Sequence, residues 1–297
     1  MLRKLHFKLT LIGVLLCMNP LKSQESSPKI LTVNYPLMYM AQRIQGDVGE
    51  VRFPAPKNID PAYWDPGVVG AAEYQEADLV LLNGAGYAKW TSRYSLPMMK
   101  VINTSRSFED KYVYMEEVIT HSHGPEGEHA HEALAFTTWI DFSLADQQAQ
   151  VVLKGLIRIQ PERKSELEKN YKQLSADLST LDKDLKNHLQ SHKTQNFIAS
   201  HPVYDYLGAG YDLKIKSVHW EPGRQPRDSE WDKLKAILKE HPSDYMIWEG
   251  QPLESVEAKL KELGLEVIVF ETCSNKPATG DFLSIMRQNV ANFEVAD

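Results

Sequence analysis

An α/β protein of two βα lobes with parallel sheets, joined by one long helix, is what the sequence predicts, and three observations carry that prediction. Apolar runs of five or six residues alternate with helical patterns, and the rhythm occurs in both halves of the chain. A chain of 297 residues is long for one hydrophobic core and comfortable for two. Between the halves, Leu167, Tyr171, Leu174, Leu178, Leu181, Leu185 and Leu189 recur at spacings of three and four, a single helical stripe.

In the first half, ILTVNY (30–35) reads as a buried strand, and the stretch after Pro36 as a helix ending near Gly46. Residues 50–53, 77–83 and 99–103 read as further strands. The linking helix spans 161–190, with Pro161 suited to its first turn. The second half offers strands at 197–200, 213–218, 245–249 and 266–271. Its helices fall at 203–211, at 228–241 with Asp228 or Ser229 as cap, at 253–263, and from about 280. The predicted units are therefore a first lobe over 24–160, the helix 161–190 and a second lobe over 191–297. About thirty residues at ~1.5 Å each run ~45 Å, the length of two lobes. A coiled-coil dimer seam is the competing use of the stripe; a stripe that packs on its own lobes needs no partner, so a monomer is expected.

Residues 1–23 read as a signal peptide: Arg3, Lys4 and Lys8 precede a short apolar run, Leu9 to Leu16, with Ser23 as a small residue for cleavage. The expected location is periplasmic or otherwise extracytoplasmic. Cys17 raises the alternative of a lipid anchor, against which Val14-Leu15-Leu16 lack the usual small residue. Losing Arg3, Lys4, Lys8 and Lys22 takes the formal charge from −7 to −11, which argues against nucleic acid as a partner. Cys273 is then the remaining cysteine, a packed side chain rather than a thiolate ligand.

Residues 118–133 break the rhythm. His121, His123, His129 and His131 lie among acids and glycines with no hydrophobic period, as in an exposed loop that captures metal weakly. No HExxH, GxSxG, phosphate loop or dinucleotide fingerprint occurs, so the chain is expected not to be an enzyme. A metal-dependent hydrolase using His201, Glu271 and the loop is the enzymatic alternative.

Six segments, in order, carry a resemblance. They are Pro61-Ala62-Tyr63-Trp64-Asp65-Pro66, ADLVLLNGAGYAKW (77–90), Thr137-Thr138-Trp139-Ile140-Asp141, HPVYDYLGAGYDL (201–213), Trp220-Glu221-Pro222 with Pro226-Arg227-Asp228, and IWEGQP (247–252). Together they resemble the zinc and manganese substrate-binding proteins of metal-importing ABC transporters, across nearly the whole chain beyond the signal peptide. The resemblance implies a protein that captures a divalent metal between its lobes and delivers it to a membrane permease. Zinc is the first expectation, with manganese and iron open.

The family's four ligand positions carry over to Ala62, Thr137, His201 and Glu271. His201 and Glu271 can ligate a metal; alanine has no donor atom and a threonine hydroxyl is weak. Three readings follow. Asp60, Asp65, Tyr63 or the loop histidines complete the site; or the cleft takes a chelated metal or small molecule stacked on Trp64 or Trp139; or tight binding is lost. Glu249, which ends YMIWE, reads as an internal hydrogen-bonding carboxylate.

Overall fold

Parallel strand pairing organises both lobes. The computed structural model describes residues 27–115, 134–190 and 195–294. The signal-peptide segment with Cys17, and the loop histidines His121, His123, His129 and His131, lie outside the described residues. The first lobe contains β1 (Lys29–Thr32), α1 (Tyr35–Gln45), β2 (Glu50–Arg52), α2 (Gly67–Glu76), β3 (Leu79–Leu82), β4 (Val101–Asn103) and α3 (Phe142–Ile159). The long helix is α4 (Lys164–His188). The second lobe contains β5 (Asn196–Ala199), α5 (Asp205–Tyr211), β6 (Lys214–Ser217), α6 (Asp228–Glu240), β7 (Tyr245–Trp248), α7 (Glu254–Glu262), β8 (Glu266–Val269) and α8 (Phe282–Glu294).

The two sheets share one topology, β2-β1-β3-β4 and β6-β5-β7-β8, with every pairing parallel. The two-lobed parallel α/β architecture is thus the one the sequence predicts. Strand order reverses between β1 and β3, and between β5 and β7. Outside the carboxyl ends of such strands a crevice opens, the usual ligand position of this sheet type.

Local chemistry moves several element ends. Tyr35 does not continue β1, because the Asn34 side chain accepts from Leu37 N (3.1 Å) and starts α1 there. The cap of α6 is Arg227 rather than Asp228 or Ser229: Glu230 reaches back and accepts from the Arg227 amide (2.7 Å), the N3 half of a capping box. Pro161 opens a single 3₁₀ turn, Pro161–Arg163, and the α-helix begins at Lys164. The amide side chains of Gln45 and Gln160 pair there at 2.8 and 3.1 Å, bracing the corner between α3 and α4. The eighteen-residue α3 was not assigned from the sequence; Asp141 caps it, accepting from the amides of Ser143 (2.9 Å) and Leu144 (3.2 Å).

The stripe of α4 is spent within the chain. Leu167, Leu174, Leu178, Leu181, Leu185 and Leu189 are buried where α4 packs against α1, α3 and α8. The stripe packs on the chain's own helices, as the sequence predicts in preference to a coiled-coil seam. One hydrophobic core runs through both lobes, from Ile30 to Phe293, and a smaller one around Trp220, Trp231 and Trp248 backs the second sheet. Direct bonds also cross the interlobe seam. Trp139 Nε1 donates to the Thr272 carbonyl (2.7 Å), and Asn275 Nδ2 donates to the carbonyls of Pro56 (2.8 Å) and Ile59 (2.9 Å).

Candidate metal site between the lobes

Register decides what gathers in the second lobe. Ala199 pairs with Ser217 on β6 and with Ile247 on β7. Continuing two residues past the strand ends sets His201 between His219 and Glu249 in one row. That row lies at the β5/β7 switch point. His201 Nδ1 stands 3.5 Å from Glu249 Oε2, and its Nε2 stands 3.9 Å from Glu221 Oε1. The rings of His201 and His219 meet edge to face at 5.8 Å. Thr272 Oγ1 reaches the other oxygen of Glu249 at 3.5 Å.

The electrostatics describe a negative pocket around a neutral imidazole. Burial lowers the His201 pKa, against the opposing pull of Glu221 and Asp60, which favours the neutral imidazole with a single ring N–H. Its Nδ1 is buried and makes no hydrogen bond among the described residues. Burial, then repulsion from Glu221 and Asp60, pushes the Glu249 carboxyl up to about 7. Asp60 is raised too, by desolvation above all. Arg224 faces Glu221 but is engaged by Glu230 at 2.9 and 3.0 Å. Carboxylates that repel one another beside an open imidazole are the surroundings a divalent cation stabilises. Among the described residues no three His, Cys, Asp or Glu side chains converge on one point. The assembled unit is the pair His201–Glu249, with Glu221 and Asp60 arrayed about it.

The other expected residues fall in different places. Glu271 lies beyond β8, the edge strand, with β7 between it and β5. It lines a cavity of about 450 Å³ with Gln251, Glu266, Gln288 and Asn292. Its backbone is fixed by Asn289, which bonds both the amide (3.0 Å) and the carbonyl (2.8 Å). The carboxylate that the fold sets beside His201 is Glu249. Asp65 is engaged by Arg93 (2.8 Å), Tyr94 (3.0 Å) and the Gly67 amide (2.9 Å), and that amide leads in holding its carboxyl below the usual range. Asp60 accepts from the Ala62 amide (2.9 Å) and exerts its charge on His201. Ala62 and Thr137 are buried, and the Thr137 hydroxyl donates to the Val203 carbonyl across the seam.

Trp139 is fully buried with its indole N–H engaged, so the stacking role considered for it is corrected: no ring face is open. Trp64 is half-buried against the core, and Tyr63 is exposed with its ring edge-on to Phe136. Cys273 is buried, and that burial pushes its thiol up to about 12, which suits a packed side chain. Sequence reasoning missed His219 and undervalued Glu249. The signal that could have found them is the recurrence of a ligand-type residue just beyond three consecutive parallel strands.

In the first lobe a buried polar knot places the facing wall. Asn83, just past β3, accepts at Oδ1 from Asn34 (3.2 Å), Thr138 (3.3 Å) and Gln148 (3.2 Å), and donates to the Phe136 carbonyl (2.9 Å). Through Thr138 and Phe136 the knot ties the 136–138 segment to the β1/β3 switch point, and Asn34 and Gln148 brace it from β1 and α3.

Residues 30–296 match the family described as zinc-uptake complex component A, periplasmic (ZnuA). The high-affinity zinc uptake system protein ZnuA of Bacillus subtilis is 26% identical over 281 residues, covering 88% of this chain and 85% of that protein. The zinc-binding lipoprotein AdcA of Streptococcus pneumoniae is 23% identical over 280 residues, 91% of this chain and 56% of that longer protein. Among solved structures, the metal-dependent lipoprotein YcdH from Bacillus subtilis superposes with a TM-score of 0.75 at 23% identity, covering 90% of this chain and 98% of that one. With this fold and a match over nearly its full length, the chain belongs to the ZnuA family of zinc-uptake components.

Proposed function

We propose that this chain is the extracytoplasmic substrate-binding component of a metal-importing ABC transporter. It takes zinc as cargo between the lobes at His201 and Glu249 and passes it to a membrane permease. Family membership supports the transport role, as do relatives whose names denote zinc uptake and zinc binding. The single observation that carries the site is the buried Nδ1 of His201, without a hydrogen bond among the described residues, beside a carboxyl raised by burial and then by its acidic neighbours. Imidazole nitrogen with carboxylate oxygen favours zinc over the harder, oxygen-preferring ions. Among the described residues no helix is long and apolar enough to cross a membrane.

Zinc titration of protein lacking residues 118–133, followed by calorimetry, tests the proposal. One saturable site per chain is expected, in the micromolar range because positions 62 and 137 supply no strong ligand. Absence of saturable heat with zinc would overturn it.

Zinc affinity should also depend on pH in a window set by Glu249. Its carboxyl, held at about 7, must lose a proton to face a cation, so affinity rises as pH climbs through about 7 and levels off above about 8. The metal-free protein should respond with the opposite sign. The folded value lies above the ordinary glutamate value of 4.5, so the folded state binds the extra proton between the two. This group's contribution to stability therefore grows as pH falls from above 7 towards 4.5. Urea unfolding at several pH values, beside Glu249→Gln, reads this contribution; identical pH profiles for the two proteins would refute it.

A further inference from the structure

Tyr87 carries a hydroxyl that the fold buries without a hydrogen-bond partner among the described residues. After β3 the backbone turns through Gly84, Ala85 and Gly86 at φ of 80°, 49° and 73°, and the Tyr87 amide closes on the Gly84 carbonyl at 3.0 Å. Only glycine fits at 84, where a Cβ would come within 2.0 Å of Ser105 Oγ and 2.1 Å of Asn103 Oδ1. The turn lays the Tyr87 ring edge-on to Phe136 (5.3 Å) and Trp139 (5.7 Å). The ring is thereby part of the first-lobe wall, beside the segment that carries Thr137.

The hydroxyl makes no hydrogen bond among the described residues. Between Phe136 and Trp139, Thr137 donates to the Val203 carbonyl, and the Val203 amide donates to the His201 carbonyl at 2.9 Å, so the wall that holds Tyr87 meets the turn that carries His201; the charge of Asp60 acts on both. A phenylalanine would fill this space without burying a donor, so the hydroxyl costs stability unless something else satisfies it. Groups kept at such a cost cluster where a ligand satisfies them.

We propose that Tyr87 is the first lobe's cargo-holding group: its hydroxyl donates a hydrogen bond to a water carried by a divalent cation seated at His201 and Glu249, with Asp60 alongside. The inference rests on the reading that the cleft carries such a cation. It explains how the site dispenses with ligands at positions 62 and 137. The first lobe grips the hydration shell where the second grips the ion, and a water-mediated contact is nearly as favourable as a direct one.

Tyr87→Phe removes the hydroxyl alone. Two measurements are made on variant and wild type: titration with zinc chloride by calorimetry, and urea unfolding of the metal-free protein. The expected result is a loss of zinc affinity of about tenfold with metal-free stability unchanged or raised. Equal zinc affinity in the two proteins would overturn the role of Tyr87 while leaving the proposed function intact. A fall in metal-free stability would also overturn it, because the hydroxyl would then have a structural partner. A wild type that takes up no zinc would instead remove the functional reading on which the inference rests.

Discussion

Replacing His201 by alanine is expected to lower zinc affinity a hundredfold or more, about 3 kcal/mol. The imidazole is the buried nitrogen donor of the switch-point row, and its Nδ1 has no hydrogen bond to give up when a metal arrives. Desolvation already keeps it neutral, so binding need not first displace a proton from the ring. Glu249 and Glu221 would remain, but carboxylates alone favour harder ions than zinc. His219 is exposed, with its ring centre 5.8 Å away, and does not fill the vacated position. The side chain makes no hydrogen bond through its buried nitrogen, so the alanine variant should fold normally. Competition with a chromophoric chelator, in protein lacking residues 118–133, separates this site from capture by the loop histidines. A loss of less than threefold would place the zinc elsewhere.

Trp139→Ala should destabilise the protein by about 3–5 kcal/mol. The indole is fully buried where the lobes meet, packed edge to face against Tyr87 at 5.7 Å. Its N–H supplies the Thr272 carbonyl across the seam at 2.7 Å. Truncation leaves a cavity and an unpaired buried carbonyl together. Because the same core continues from one lobe into the other, unfolding should remain a single transition displaced to lower urea. A shift worth less than about 1 kcal/mol, or the appearance of two separate transitions, would contradict that account of the seam.

The local periods of the chain were enough to specify the architecture. Five- or six-residue apolar runs such as ILTVNY and EVIVFE have nowhere to lie but in a sheet covered on both faces. The leucine stripe from 167 to 189 identified the long helix through spacing alone. What a period does not contain is where an element starts. That depended on single side chains meeting backbone groups, as at Asn34 and Arg227, or on the long-range Gln45–Gln160 pair at the α3–α4 corner.

The site divides the same way. His201 was legible as a strand-end histidine, and its ordered neighbours carried the family resemblance. Glu249 was not legible as its partner: both Glu249 and Glu271 end an apolar run, and on the sequence alone Glu271 is the ligand and Glu249 an internal hydrogen-bonding carboxylate. Strand order separates them. β7 lies directly beside β5, whereas β8 is one strand further out, and neighbouring strands stand only ~4.8 Å apart. Glu249 therefore reaches His201 at 3.5 Å, while Glu271 lines the edge cavity beyond β8. The sequence by itself determined the element types, the two lobes and the second-lobe histidine, since each follows from local period or residue chemistry. That Glu249 stands beside that histidine, and that the Tyr87 hydroxyl is buried with no hydrogen bond among the described residues, were decided only by tertiary structure, because both depend on contacts between residues far apart along the chain.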